Sequence, residues 1–582
     1  FNGEIYNYIE LRARLEAAGH CFHSASDTEV IVHAIEEWGL GALDRFNGEF
    51  AFALYDRRDG SIILARDRFG VRPLFYAQTP GGDVGFASEV KALFAGGVIE
   101  PAIDPVGLEQ VFRFWAARPP RTVFRGVSQL PPGCWARWQG GRFETGRWWQ
   151  PEFDESRLEP ADAIAQLDEL MRSSVALRMR ADVPVGAYLS GGLDSSIACA
   201  LAARLTPHRL RTFSVSFADP ALDESVHQAA VAGAIGSEHA VQRIGTDEIA
   251  LVFPDVVRHA ETPLLRTAAA PLYLLSRLTR ARGITVALTG EGSDEVFLGY
   301  DLFKEAAVRR FCLRQPGSRM RPRLFDRLYP YLQSGGAGEL WWRFFLDAGS
   351  PDDPLFSHLP RFHLGSFLRG FRGPALTDAL ADVDVDADLR ASLPQDFQRW
   401  SFPNQAAYLE MTTLLDGYLL AAQGDRMAMA HGVEGRFPFL DHRLFAFAAA
   451  LPARSKLRGL EEKAILRQWA TGVVPPSVRT RPKQPYRAPD APAFFGPRAP
   501  AYVEEMLSPA ALRSTGLFEP AAVTGLIRRC RNGTVRGTRE NQALVAVLSA
   551  QIWHSVLISQ LLKPAPLDHA SANVAIGRRE LR

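Results

Sequence analysis

A glycine–serine turn between two apolar segments constrains the fold of this chain more than any other feature. The segments are Val183-Pro-Val-Gly-Ala-Tyr-Leu189, of strand length, then Ser190-Gly-Gly-Leu-Asp-Ser-Ser196, then the breaker-free helical run Ile197-Ala-Cys-Ala-Leu-Ala-Ala-Arg204. Strand, tight turn and helix in that order aim unpaired backbone N–H groups and a positive helix end at one point, which makes an anion cradle. Around it, helix 161–178, strand 183–189, helix 195–205, strand 211–217, helix 223–236 and strand 284–289 alternate along the chain. Such alternation predicts an α/β doubly wound parallel sheet, whose ligands sit at the carboxyl ends of the strands. Beyond residue 300 the pattern is mainly helical, with long loops.

The turn is neither the G-x-x-x-x-G-K-[ST] loop of kinases and GTPases nor a Rossmann G-x-G-x-x-G. It carries Asp194, and a carboxylate beside phosphates needs a cation between them, which implies Mg²⁺. A second loop, Thr289-Gly-Glu-Gly-Ser-Asp-Glu295, follows the apolar strand Ile284–Leu288. Its glycines let a ligand approach the backbone, and its three carboxylates repel one another unless some face a metal or act as bases. Asp194 and Asp294 are therefore assigned to Mg²⁺, and Glu291 to proton transfer. Val215, in the strand between the two loops, is placed to offer backbone groups to a purine, although alone it reads as core. Lys463 lies in the helical pattern Leu460-Glu-Glu-Lys-Ala-Ile-Leu-Arg467, where a lysine is ordinarily solvated. Its rarity is the counterweight, because only six of the 66 basic residues are lysine.

Residues 1–150 read as a different unit. Two amphipathic helical patterns (Tyr8, Leu11, Leu15; Val30, Ile31, Ala34, Ile35, Trp38) precede strands at Phe50–Tyr55, Ile62–Ala65 and Val84–Ala87 and a Trp-rich hairpin at Trp135–Trp149. Helices with hairpins predict an α+β sandwich. Residues 151–160, acidic and bounded by proline, read as a linker. The chain opens on Phe1-Asn-Gly-Glu4, where Asn-Gly is either an ordinary turn or an amide and a backbone N–H offered to an oxyanion.

A net charge of +1 over 582 residues excludes a global field for nucleic acid or an anionic membrane. The Arg-dense stretch 309–327 reads as a solvated helix and loop. Five scattered cysteines without a C-x-x-C argue against a disulfide framework or a cysteine zinc site and for a reducing cytoplasm. The longest apolar run, Ala543–Leu562, is broken by Gln551, His554, Ser555 and Gln560, and so reads as a buried helix rather than a membrane span. Residues 563–582 read as a disordered tail.

Taken together, these residues resemble the glutamine-dependent asparagine synthetases across almost the whole chain. Asn2-Gly-Glu-Ile-Tyr-Asn7, Ser26-Asp-Thr-Glu29, Phe50-Ala-Phe-Ala-Leu-Tyr-Asp56 and Ala65-Arg-Asp-Arg-Phe-Gly70 resemble that family's glutaminase domain. Ser190–Ser196 resembles its pyrophosphate loop. Thr289–Glu295 with Gly299-Tyr300, Phe437-Pro-Phe-Leu-Asp441 and Glu462–Arg467 resemble its synthetase core. The resemblance implies an N-terminal-nucleophile hydrolase domain at 1–150, lacking its start. It implies an adenine nucleotide α-hydrolase sheet with helical additions at 161–562. It further implies small-molecule substrates (ATP, aspartate, glutamine or ammonia) with Mg²⁺, and a homodimer as the candidate assembly. Leu189, Val215, Thr289 and Gly290 would contact the nucleotide, and Ser190, Gly191, Gly192, Asp194, Ser195 and Ser196 the pyrophosphate. Glu291 would serve the intermediate and its amination, and Lys463 the phosphate charge. Asn2, Gly3, Glu4 and Asp27 would hold glutamine, with Asn2 and Gly3 forming the oxyanion hole.

The chain departs from the family in three places. The family's nucleophile is a cysteine at the mature N-terminus, upstream of Asn-Gly-Glu. That segment is absent here, and Cys21 lies downstream, so a fragment of a longer chain is expected. Leu298 stands where a glycine often precedes Gly-Tyr, and Gly435 where alanine is usual. Both lie near the expected acceptor pocket. The alternatives are a relative acting on another carboxylate, such as a β-lactam-forming or peptide-cyclising enzyme, an enzyme that uses ammonia only, and an inactive nucleotide-binding scaffold. The β-lactam-forming relatives carry tyrosine where this chain has Glu291, which favours aspartate.

Overall fold

The computed structural model describes residues 1–79, 81–155, 162–329, 339–535 and 537–559. Strands β1 (Asn2–Ile5), β2 (Gly48–Asp56), β3 (Ser61–Arg66), β4 (Phe75–Gln78), β5 (Val84–Ala87), β6 (Ser128–Gln129), β7 (Cys134–Gln139) and β8 (Arg142–Arg147) build the N-terminal half. They form two antiparallel sheets, ordered β1-β2-β3-β7-β8 and β5-β4-β6. Side chains alternate across β2 because a strand has a period of two. Phe50 and Phe52 pack with Leu11, Leu15, Val30 and Ile31 of helices α1 (Tyr8–Ala17) and α2 (Asp27–Trp38), while Ala51 joins Leu64, Leu74 and Leu130 between the sheets. The layers run helices, sheet, sheet.

The second half turns on a parallel sheet of β9 (Val185–Tyr188), β10 (Arg211–Phe217), β11 (Glu238–Ile244), β12 (Val286–Leu288) and β13 (Glu434–Arg436). The spatial order is β11-β10-β9-β12-β13. Winding therefore reverses between β9 and β12, and their carboxyl ends flank the crevice that such a reversal opens. Helices α3 (Ala163–Arg178), α4 (Leu193–Leu205) and α5 (Ser225–Ile235) contribute Leu167, Ile197, Leu201 and Val231 to the core on one face. On the other face, α6 (Thr246–Ala260) and α7 (Ala269–Ala281) contribute Phe253, Val257 and Leu274.

Several sequence expectations need correction. β11 and β13 were not anticipated. β11 is a half-exposed edge strand of mixed polarity, and β13 has three residues, too short for a periodic signal. Lys463 does lie at a helix start. It is the left-handed residue (φ 52°) before the helix Ala464–Trp469, and it is buried rather than solvated. Arg309 is also buried, donating to the carbonyls of Phe345, Phe356 and Ala348. The first part of the expected linker is fastened down: the Phe153 ring packs on Trp400 and Phe445, and Glu155 accepts from Asn404 Nδ2 at 2.8 Å. Residues 156–160 and the expected tail 563–582 lie outside the described residues. The helical segment Thr538–Ser559 is long and apolar enough to cross a membrane, but 78% of its most apolar window is buried inside the protein. All five cysteines are free thiols.

Buried charges join the two halves. Arg66 reaches Asp416 at 2.8 Å, Arg72 reaches Asp425 at 2.6 Å, and Arg178 of α3 reaches Glu49 of β2 at 2.9 Å. Asp416 and Asp425 belong to one π-helical segment, Met411–Asp425.

Candidate active sites

The Ser190–Ser196 turn leaves β9 and is folded by its own hydroxyls. Ser190 N–H donates to Ser195 Oγ at 3.1 Å, and Ser196 Oγ donates to the Gly192 carbonyl at 2.6 Å. Gly191 has φ +79°, and a Cβ there would lie 2.9 Å from His227 Cβ, so both conformation and space demand glycine. Gly192 precedes α4 without a side-chain cap, which leaves the first helical N–H groups open to an anion.

The Thr289–Glu295 loop leaves the neighbouring strand β12 and meets the first loop backbone to backbone. A Cβ on Gly290 would lie 2.7 Å from Ser195 N. Ser293 Oγ donates to Asp194 Oδ1 at 2.8 Å. Lys463 Nζ sits 2.6 Å from Asp194 Oδ1 and 2.6 Å from Asp294 Oδ1, bridging the two loops. The second oxygen of Asp294 is 2.5 Å from Lys483 Nζ. Burial alone would push the Asp294 carboxyl up, but the two ammonium groups outweigh it and hold it below the usual carboxylate range. Glu295, buried behind them and beside Asp294 and Glu410, is pushed up to about 8 and accepts from Tyr300 OH. Asp194 and Asp294 are thus two carboxylates arranged around one ammonium group, and their oxygens are the kind of donor that Mg²⁺ takes.

These loops line a cavity of ≈ 740 Å³ that also takes in Leu189, Val215, Gln228, Arg266 and Tyr486. Val215 faces it with its carbonyl already accepting from Gln228 Nε2 at 2.9 Å. Glu291 faces it as well. Removal from bulk water pushes its carboxyl up, and its Oε2 has no hydrogen-bond partner among the described residues. Sequence reasoning missed Lys483, Gln228 and Tyr486. Lysine scarcity alone would have flagged Lys483, which stands among prolines in Arg481-Pro-Lys-Gln-Pro-Tyr486.

A second cavity of ≈ 430 Å³ is lined by Asn2, Glu4, Arg72, Asp182, Glu434 and Arg436. Gly3 has φ +121°, and a Cβ on it would fall 2.0 Å from the Glu49 carbonyl, so the β1–β2 pairing itself requires glycine. Asp27, the first residue of α2, accepts the Ile5 N–H at 2.9 Å and anchors β1 rather than lining the cavity. Burial and the nearby Asp27 carboxylate push Glu4 up to about 7, against the pull of Arg436 at 3.2 Å. Arg436 ends β13, and its carbonyl accepts the Thr289 N–H at 2.9 Å, so a single strand connects the two cavities.

Comparison with known proteins agrees with this division. A family model described as asparagine synthase matches residues 166–555, and one described as a glutamine amidotransferase domain matches residues 1–149. A Mycobacterium tuberculosis protein named putative asparagine synthetase [glutamine-hydrolyzing] is 32% identical over 97% of this chain and 85% of its own length. Asparagine synthetase [glutamine-hydrolyzing] 1 of Bacillus subtilis is 30% identical over 99% of this chain and 88% of its own. A Penicillium rubens protein named amidase chyE is 27% identical over 89% of this chain and 80% of its own.

Proposed function

Because this chain belongs to the asparagine synthase family, we propose that it amidates L-aspartate to L-asparagine through a β-aspartyl adenylate, using ATP and ammonia drawn from glutamine. The observation that carries this reading is the meeting of Asp194, Asp294, Lys463 and Lys483 at the strand-order reversal, beside a buried glutamate. An aspartate side-chain oxygen attacks the α-phosphorus of ATP, and the bond to pyrophosphate breaks. The turn N–H groups and both lysines take up the charge of the leaving group. Ammonia then adds to the acyl carbon, and AMP departs with the former carboxylate oxygen. Glu291, its carboxyl raised by burial, takes the proton that the nitrogen sheds. Bound to Asp194 and Asp294, Mg²⁺ would supply further charge neutralisation at the pyrophosphate.

Asn2 and Gly3 support glutamine hydrolysis as oxyanion donors, and Glu4 supports it as the counter-charge to the glutamine ammonium group. A second reading, amide formation on another carboxylate, draws on the amidase-named relative and on Leu298 and Gly435. Leu298 is buried at φ +59°, where glycine would be unstrained.

The test supplies the protein with ATP, Mg²⁺, aspartate and either ammonia or glutamine, then measures pyrophosphate and asparagine. Both products are expected. Pyrophosphate without asparagine transfers the reading to another acceptor, and no pyrophosphate with any carboxylate leaves only a nucleotide-binding scaffold. Glu291→Gln is expected to abolish asparagine formation while ATP still binds; full activity in that variant would overturn its role.

A further inference from the structure

Apart from both cavities, His20 of the α1–α2 connection meets His33 and Glu36 of α2, with one ligand atom from each lying within 4.8 Å of the others. His20 Nε2 lies 3.1 Å from Glu37 Oε2, and His33 Nε2 lies 3.5 Å from Glu29 Oε1. A carboxylate only accepts, so these contacts favour the tautomers with the proton on Nε2. Both Nδ1 atoms then present lone pairs, and they face each other at 3.0 Å. Two lone pairs at that separation repel unless a cation lies between them.

Two nitrogens each about 2.0–2.1 Å from one zinc-type ion stand roughly 2.9–3.3 Å apart for angles from right to tetrahedral. The observed separation falls in that interval. A shared proton would also satisfy the pair, but it gives Glu36 no role. A metal ion gives it one, as third ligand. Carboxylates on the far nitrogens are the usual outer support of metal-bound histidines, and here Glu37 and Glu29 provide them.

The site is also held in shape before any ion arrives. Glu29 accepts the backbone N–H groups of His23 and Ser24, both at 2.7 Å. The Phe22 ring packs on His33 at 4.4 Å, and Arg12 lies over Phe22. We propose that His20, His33 and Glu36 form a binding site for a divalent transition metal of the zinc class. Bound there, the ion would pin the α1–α2 connection to α2, the helix that starts at Asp27 and through it anchors β1.

The test is titration of the chelator-treated protein with Co²⁺, followed by visible absorption, and with Zn²⁺, followed by calorimetry and thermal unfolding. One equivalent bound at His20 and His33 is expected, with intensified Co²⁺ bands and a raised unfolding midpoint. His20→Gln/His33→Gln is expected to weaken Zn²⁺ binding at least a hundredfold and to remove the thermal shift. The exposed Glu36→Gln leaves the packing untouched and is expected to weaken binding about tenfold. Equal Zn²⁺ affinity in the wild type and Glu36→Gln, or Co²⁺ binding no tighter to the wild type than to the double variant, would overturn the proposal. In the latter case the pair shares only a proton.

Discussion

At the scale of single residues, charge balance governs both cavities. Lys483 sits 2.5 Å from Asp294, and in the proposed reaction it takes up charge on the leaving pyrophosphate. Lys483→Met is expected to slow pyrophosphate release on the order of 10²–10³-fold, as loss of a transition-state charge partner does, with little change in glutamine binding. Rapid-quench measurement of pyrophosphate checks it. Glu4 gives a pH signature in the other cavity. Its folded pKa of about 7 lies above its ordinary value of 4.5. The folded protein therefore keeps a proton that the unfolded chain has lost, and this group's contribution to stability falls as pH rises from about 4.5 to 7. Ionised Glu4 is the form that attracts an ammonium group, so glutamine affinity is expected to fall as pH drops below about 7. The Glu434 carboxylate raises Glu4, so Glu434→Gln is expected to move that midpoint downward. Calorimetry with glutamine across pH 5.5–8.5, in wild type and variant, reads both, and an unmoved midpoint would contradict the assignment.

At the scale of elements, the proposed chemistry depends on two loops lying against each other. Gly290→Ala places a methyl 2.7 Å from Ser195 N, against backbone that cannot yield. The variant is expected to lose ATP-dependent pyrophosphate release while glutamine still binds, as separate ligand titrations would reveal. Both loops were legible in the sequence because each is a glycine turn after an apolar strand, a local pattern. Local patterns also marked α1, α2, β10 and β5. β13 was not legible, because a three-residue strand pairs only through its distant partner β12. Lys483 drew no notice and Lys463 was split between surface and site, because the carboxylates that neutralise them lie 189 and 269 residues away. The His20–His33 pair, only 13 residues apart, escaped notice for another reason: cysteine spacing says nothing of imidazoles brought together by a helix–helix connection.

At the scale of the whole molecule, the glutaminase-like half is clamped to the synthetase-like half by buried arginines. Arg66 and Arg72 grip the π-helical segment Met411–Asp425, whose Leu414, Tyr418, Leu419 and Gln423 line the larger cavity. Breaking such a pair strands a buried charge, at a cost of about 3–5 kcal/mol. Asp425→Asn is therefore expected to lower the unfolding free energy by about that amount and to reduce the glutamine-driven rate more than the ammonia-driven one. Denaturant titration and paired rate assays check the two effects.

The proposed adenylate requires the acceptor carboxylate to bond directly to the α-phosphorus of ATP at the β9–β12 crevice. It is tested most directly with aspartate carrying ¹⁸O in its side-chain carboxylate, by mass spectrometry of the nucleotide products after turnover with ammonia. One ¹⁸O in AMP and none in pyrophosphate is the result predicted. AMP free of label, or label in a phosphate other than AMP, would contradict it.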